Sequence, residues 1–484
     1  MLALLETRRV FVALLALGLF AMAARGVTDP DVWWHLRTGQ LMLLQHGVFH
    51  TDPYSFTRSG QPWISHEWLS EILMFGLYRL AGFGGLIVLF AAITAGTFLL
   101  VFRRSPGRPY LAGFMTLWGA AASGHSWGVR PQMLSLLLAS AFLWLLEASE
   151  NRPRLLWWTA PLMLMWVNLH GGFPLGLALL ALFLGEEALE AGVGAGQWPQ
   201  SVPRIKNLAV MFAVCLGMVP LNPNGTRLYS YPFETLRSSA MQRFIQEWSS
   251  PNFHDPTYLP LLVMLLALTA GLALSRARLR PRDLVLLLAT IPAALRSTRH
   301  IPILMLVMIP VLSRLAEAWL QQRRTTRLVK PEGTLSSQRT LAANVLVLIA
   351  FAAFATIRIR HLVTTQGEAE AKQFPQAGAA FLKRELPAGP ILNHYNWGGY
   401  FIWTLYPQYR VFIDGRADVY GDPFMEAFGA SYYLQDDWSK LLQGWGIRTL
   451  VLPPDAPLIS ALRSGPDWKQ VYADSQTVVL TRSH

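Results

Sequence analysis

Cysteine is almost absent from this chain: Cys215 is the single one among 484 residues, and it sits inside an apolar run. A disulfide framework and a cysteine-ligated metal site are thereby excluded. Charge is scarce too, at 14% of residues, where ordinary soluble domains carry roughly 25%. Acidic residues are the scarcer sign, 29 against 41 basic, leaving a net charge of +12. That excess does not point to nucleic acid. The basic residues sit in short connections between apolar runs, a pattern of membrane topology rather than a phosphate-backbone footprint. No G-x-G-x-x-G follows the first expected strand of the C-terminal part, so no dinucleotide site is expected, and no repeat of solenoid period is present.

What is abundant is apolar. Hydrophobic residues make up 52% of the chain, with 18 Trp and 14 Tyr. A soluble core of this size cannot hide so much apolar surface, whereas lipid can, and Trp and Tyr suit two membrane interfaces. About eleven runs approach the ~20 residues that a spanning helix needs. They are Val10–Ala24, Gly85–Phe102, Tyr110–Ser123, Pro131–Leu146, Leu155–Leu169, Phe173–Leu189, Leu208–Leu221, Tyr258–Leu274, Leu284–Leu295, Ile301–Leu315 and Leu341–Ile357.

Basic residues fall in every second connection: Arg8/Arg9, Arg103/Arg104/Arg108, Arg152/Arg154, Arg204/Lys206, Arg276/Arg278/Arg280/Arg282 and Arg323/Arg324/Arg327/Lys330. Under the positive-inside rule those connections are cytoplasmic. Ala21-Met22-Ala23 has the form of a signal-peptide cleavage site, yet an uncleaved first helix is expected, because the segment after it must begin outside. A long first outer loop, 25–84, then holds two amphipathic stretches, Val32–His46 and His66–Leu80, suited to lying along the membrane surface. A second outer region, Asn222–Pro256, contains Tyr229, Tyr231, Glu247 and Trp248. Tight turns at His125–Arg130, His170-Gly171-Gly172 and Arg296–His300 complete that side.

The expected architecture is an all-α polytopic membrane protein of about eleven spans, residues 1–359, followed by a small extracytoplasmic α/β domain, 360–484. The second part reads as helix Pro375–Leu386, strand Pro390–Asn393, helix Trp397–Leu405, strand Arg410–Ile413, helix Trp438–Gln443 and strand Thr449–Leu452. It ends in a hairpin of Gln470–Ala473 with Val478–Thr481.

Among chemistry-bearing residues, Asp29-Pro30-Asp31 comes first. A helix start explains all three, with Asp29 as N-cap, Pro30 at the first position and Asp31 in the first turn. One carboxylate is enough for the cap, so the other remains a candidate general base. Arg296, Arg299 and His300, with Arg130 and His125 at the same level, suit an anion at the outer face, because ionisable groups at membrane depth default to function or pairing. Lipid headgroup binding explains such arginines equally well at Arg130. His170 precedes two glycines that permit a tight turn, and a structural role suits it better than a proton relay. Asp414, Arg416 and Asp418 follow an expected strand and read more readily as a local brace than as a site.

The stretches Asp31-Val32-Trp33-Trp34-His35-Leu36-Arg37-Thr38-Gly39 and His66-Glu67-Trp68-Leu69-Ser70-Glu71 resemble the first outer loop of the C-type glycosyltransferase superfamily. That superfamily includes protein mannosyltransferases, aminoarabinose transferases and the catalytic subunit of oligosaccharyltransferase. The likeness is greatest to a bacterial branch beginning D-P-D-x-W-W-H-L. Arg130-Pro131-Gln132, Asn168-Leu169-His170-Gly171-Gly172, Asn222-Pro223, Glu247-Trp248 and Arg299-His300 also fit, as do Asn396-Trp397-Gly398-Gly399-Tyr400 and Phe412-Ile413-Asp414-Gly415-Arg416-Ala417-Asp418.

The resemblance implies transfer of a hexosyl or pentosyl group from a polyprenyl-phosphate donor to an extracytoplasmic glycan, lipid or protein acceptor, at the bacterial inner (cytoplasmic) membrane. It implies that Asp29 or Asp31 is the catalytic acid residue, or the ligand of a divalent cation if one is used. Arg296, Arg299, His300 and Arg130 are then expected at the donor phosphate, with His35, His66, Glu67, His170 and Glu247 as further site candidates. Partners are the lipid-linked donor, the acceptor and membrane lipids, not nucleic acid. Two other readings stand beside it: a transporter or flippase of a lipid-linked substrate, and a non-catalytic envelope-assembly protein. A transporter would place its charges nearer the bilayer midplane and often repeat its halves, neither of which is evident in the sequence.

Overall fold

The structure is a computed structural model and describes residues 7–193, 198–323, 338–435 and 437–483. Arg324, Arg327 and Lys330 of the last basic connection, and His484, lie outside the described residues. Each of the eleven apolar runs lies on helix. Among the described residues, five helices are long and apolar enough to cross a membrane: Trp68–Arg104, Ser201–Leu221, Pro256–Leu274, Thr298–Gln322 and Thr340–Thr364. The chain divides into two compact units, one of residues 1–25, 87–221 and 247–362, the other of 26–86, 222–246 and 363–484.

The first unit is a helical bundle. Its helix Ile301–Gln322 is buried along most of its length. Helix Pro109–Ser123 packs against it closely, because a Cβ on Gly119 would meet the Ile309 side chain at 2.3 Å. Small residues that let backbones approach are the usual means of helix association in lipid, where apolar burial gives no preference between lipid and protein. By contrast, Gln338–Thr364 leaves Leu346, Ile349 and Ile357 60–68% exposed. A helix apolar on nearly every side and covered by little protein requires a lipid surround.

Charges in this unit gather at the two ends of the helices. Glu147, near the end of Gln132–Ala148, pairs with Arg104 at 2.7 Å, while Arg204 pairs with Glu187 at 2.7 Å and Asp283 with Arg314. These ion pairs lie at the arginine-rich connections. The opposite helix ends hold the groups described below.

The second unit contains a four-stranded sheet of order β1-β2-β4-β3, with β1 Ile391–Asn393, β2 Thr449–Leu452, β3 Trp468–Ala473 and β4 Val478–Arg482. β1 and β2 are parallel; β4 runs antiparallel to both β2 and β3. The expected strand at Arg410–Ile413 is not one. Val411 makes only an isolated bridge to Ser55, and the Asn393 side chain takes the place of a ladder: its Oδ1 accepts from Phe412 N at 2.8 Å and its Nδ2 donates to Ile413 O at 2.8 Å. A buried side-chain amide satisfies the backbone groups that a neighbouring strand would otherwise pair.

Helix Val32–Gln45 matches the first amphipathic stretch. The second, His66–Leu80, matches the helical segment that begins at Trp68. It opens the long helix Trp68–Arg104, which breaks at Gly82, where φ is 58° and ψ is −156°. That backbone conformation favours glycine.

Candidate functional site

The second unit brings together the first loop and the Asp414–Asp418 loop. Asp29 does act at the helix start: its Oδ1 accepts the Asp31 N–H at 2.8 Å. Asp31 makes no side-chain cap and instead accepts from Trp34 Nε1 at 3.0 Å. A Cβ on Gly415 would fall 1.8 Å from Asp31 Oδ1, so the loop backbone lies directly on this carboxylate. Gly399 does the same service beside it, since a Cβ there would meet Pro30 O at 2.5 Å. These close approaches explain glycines in two of the motifs quoted above.

Behind Asp31 lies a buried chain of acids and imidazoles. His35 Nδ1 is 3.3 Å from Glu71 Oε1, and its Nε2 is 3.4 Å from Glu67 Oε2. His66 Nε2 is 3.2 Å from Glu67 Oε1 and 3.2 Å from the Tyr231 hydroxyl. Ser65 Oγ donates to Glu71 Oε2 at 3.2 Å. Gly39 makes this possible, because a Cβ there would meet Glu71 O at 2.1 Å. Burial opposes a charged ring at both histidines, yet the neighbouring carboxylates prevail: His35 is raised above its ordinary value, and His66 is pushed up to about 9, chiefly by Glu67. The geometry agrees, because Nδ1 of His66 faces Ile64 O at 3.1 Å and Nε2 faces a carboxylate, so both nitrogens favour carrying protons.

Asp414, Arg416 and Asp418 divide their roles. Arg416 is buried, pairs with Asp414 at 2.7 Å and with Asp52 at 2.8 Å, and stacks between Tyr54 and Trp63, 4.9 and 4.6 Å from the ring centres. Burial opposes ionisation of Asp414, but Arg416 holds its carboxyl below the usual range. This is a brace. Asp418 is raised by burial, with His66 among the charges acting on it, which places it beside the acid–imidazole chain. Asp52, Glu71 and Tyr231 are not among the site residues expected from sequence, and Asp418 is expected there as part of a brace rather than of a site. Only Glu71 carried a readable signal, since its spacing from Glu67 sets both on one helical face.

The first unit gathers the other candidates. Arg130 forms an ion pair with Glu247, and burial of Glu247 is outweighed by Arg130 and Arg299, which hold its carboxyl below the ordinary range. The Glu247 carbonyl accepts from Ser297 Oγ at 2.9 Å and Thr298 Oγ1 at 3.1 Å. Trp248 lies under the Arg299 guanidinium at 5.3 Å, with the His300 ring 6.1 Å away. His125 Nε2 is 3.4 Å from Thr298 O, and burial keeps its ring below the usual value. Arg296 is exposed at the end of its helix. His170 is structural in its contacts: Nδ1 accepts from Gly172 N at 2.9 Å and lies 2.7 Å from Ser135 Oγ, which accepts from Trp166 Nε1 at 2.6 Å.

A divalent cation would need ligands beyond the two first-loop carboxylates. Among the described residues, no group of three or more His, Cys, Asp or Glu side chains is arranged to hold one. The donor set among the described residues does not fit a resident metal.

No family model matches the chain, and no curated protein matches it by sequence. Solved structures do. The Archaeoglobus fulgidus oligosaccharyltransferase tethered to an acceptor peptide containing the NVT sequon matches over 100% of this chain and 75% of its own, at TM-score 0.55 and 10% identity. The oligosaccharyltransferase AglB of the same organism, in complex with an inhibitory peptide and a dolichol-phosphate, matches over 91% and 68%, at 0.51 and 10%. ArnT from Cupriavidus metallidurans, bound to undecaprenyl phosphate, is 17% identical over 97% of each chain, at a TM-score of 0.44 that is too low to bear on the fold. The chain carries a polytopic helical fold like that of the archaeal oligosaccharyltransferase.

Proposed function

We propose that the protein is a membrane glycosyltransferase that moves a hexosyl or pentosyl group from a polyprenyl-phosphate donor to an extracytoplasmic acceptor. One observation carries this reading: the Asp31 carboxylate, seated against Gly415 and close enough to the His35–Glu67–Glu71 cluster for its charge to act on His35. The dolichol-phosphate bound by the archaeal oligosaccharyltransferase of like fold supports a lipid-phosphate donor.

In this reading Asp31 takes the proton of the acceptor hydroxyl as that oxygen bonds to the anomeric carbon. The bond from that carbon to the phosphate oxygen breaks, and polyprenyl phosphate leaves with the electron pair. Positive charge at the departing phosphate lowers the barrier; in the first unit Arg299 is the candidate to carry it, whereas burial and Arg299 hold the His300 ring below its ordinary value, so that it is neutral near pH 7. Arg130 is already engaged by Glu247 and serves to position that segment. Asp29, spent on the Asp31 N–H, is the capping residue.

The test is transfer from a polyprenyl-phosphate sugar by the full chain in lipid nanodiscs, beside a comparison of surface glycans with and without the protein. Asp31→Asn should abolish transfer at unchanged membrane levels, whereas Asp29→Asn should weaken it. Full activity in both single variants and in the double variant would overturn the assignment. The same reading sets residues 363–484 outside the inner membrane. A reporter enzyme active only outside the cytoplasm should work when fused at Thr365, and a silent fusion would reverse that placement.

A further inference from the structure

A cavity of about 140 Å³ opens within the second unit, with Phe244, His394, Tyr395, Asn396, Tyr432 and Tyr433 among its lining residues. Its volume is of the size that admits one six-membered ring. It sits just past the carboxyl end of β1, where α/β folds commonly place ligands.

The cavity is built rather than left over. Asp422, at the start of helix Asp422–Tyr432, accepts from Ser238 Oγ at 2.5 Å and Ser239 N at 2.8 Å, which pins helix Ser239–Phe244. Phe244 then rests on Gly429, where a Cβ would meet its ring at 2.7 Å. Tyr432 and Tyr433 stand nearly edge to face, 5.0 Å apart, with Tyr433 58% exposed.

Polar groups are few and uncharged. His394 Nδ1 is buried without a hydrogen-bond partner, and Asn396 lies exposed at the rim. Burial holds His394 down at about 4, so its ring is neutral near pH 7 and offers one donor and one acceptor. Among the described residues, no Lys, Arg, Asp or Glu lines the cavity. That lining disfavours a phosphate or a peptide terminus and suits a neutral ligand with hydroxyls on its edge and an apolar face.

Tyr395 joins this cavity to the candidate base. Its hydroxyl donates to Gly415 O at 3.3 Å, and Gly415 is the residue lying on Asp31. We infer that the cavity receives a pyranose ring of the acceptor glycan, stacked on Tyr432 and Tyr433 and hydrogen-bonded through its hydroxyls to His394 and Asn396. Its use as an acceptor subsite rests on the transferase reading; the binding itself does not.

The experiment is therefore a binding measurement, made without donor. Full-length protein in nanodiscs is probed by saturation-transfer NMR with methyl α-D-mannopyranoside, methyl β-D-glucopyranoside and the methyl glycoside of N-acetyl-β-D-glucosamine. At least one should bind, Tyr432→Leu and Tyr433→Ala should each weaken it tenfold or more, and Gly367→Ala, in open space, should leave it intact. Tyr433 is exposed, so its variant keeps the test valid if the Tyr432 variant fails to fold. Absence of binding by all three glycosides, binding that survives Tyr433→Ala, or binding of a short peptide but of no glycoside would each overturn the inference. Failure of transfer with glycoside binding retained would count against the transferase reading alone.

Discussion

One imidazole bridges two carboxylates a helical turn apart: His35 faces Glu71 through Nδ1 at 3.3 Å and Glu67 through Nε2 at 3.4 Å. Glu67 then passes the contact to His66, and His66 to Tyr231. A buried chain of this kind is costly to interrupt, because removing one member strands the charge of the next.

Stability should follow the charge on His66. Its value rises from 6.5 unfolded to about 9 folded, so its contribution is fully present below about pH 6.5 and is lost as pH climbs through about 9. The shift corresponds to about 3 kcal/mol. Thermal unfolding in nanodiscs should show a midpoint that falls between pH 7 and 9.5, and His66→Phe should flatten that slope. An unchanged slope in the variant would refute the assignment.

Gly415→Ala should cost at least tenfold in transfer, because the new methyl would fall on the Asp31 carboxylate. Gly367→Ala, with open space at the same position, is the matched control. Transfer assays and membrane levels measured together separate a displaced carboxylate from lost protein.

Arg130 and Glu247 should behave as one element. Singly, Arg130→Met and Glu247→Gln each lower the unfolding midpoint; together they should lose less than the sum, with a coupling of about 1–2 kcal/mol for a partly buried contact pair. Strict additivity in the double-mutant cycle would show that the ion pair is not formed.

Arg416→Lys should fail as a conservative change. An ammonium cannot reproduce the planar fork shared by Asp414 and Asp52, nor the stacking between Tyr54 and Trp63. The expected loss is about 3–5 kcal/mol, read as a sharp fall in folded yield and in melting temperature.

The helices were legible because apolar periodicity and length are local properties. All eleven runs from Val10–Ala24 to Leu341–Ile357 coincide with helix, and β1, β2 and the closing hairpin lie where expected. The fold outran the sequence where one side chain replaced a local rule. Asn393 satisfies the Phe412–Ile413 backbone, so an alternating segment never joins the sheet. Helix His66–Leu80 and the run Gly85–Phe102 were both readable, and the break between them falls at Gly82. The site was legible in its acids and bases and illegible in its pairings. His35 with Glu71, Arg416 with Asp52 and Gly415 with Asp31 join positions whose sequence spacing carries no geometric information.

The seat of Asp31 has a consequence for biosynthesis. The surroundings of the Asp31 carboxylate are completed by Gly415, so they cannot form until the long stretch of chain between the two has been made. Until residue 415 has been made and folded against it, Asp31 lacks the backbone that seats it.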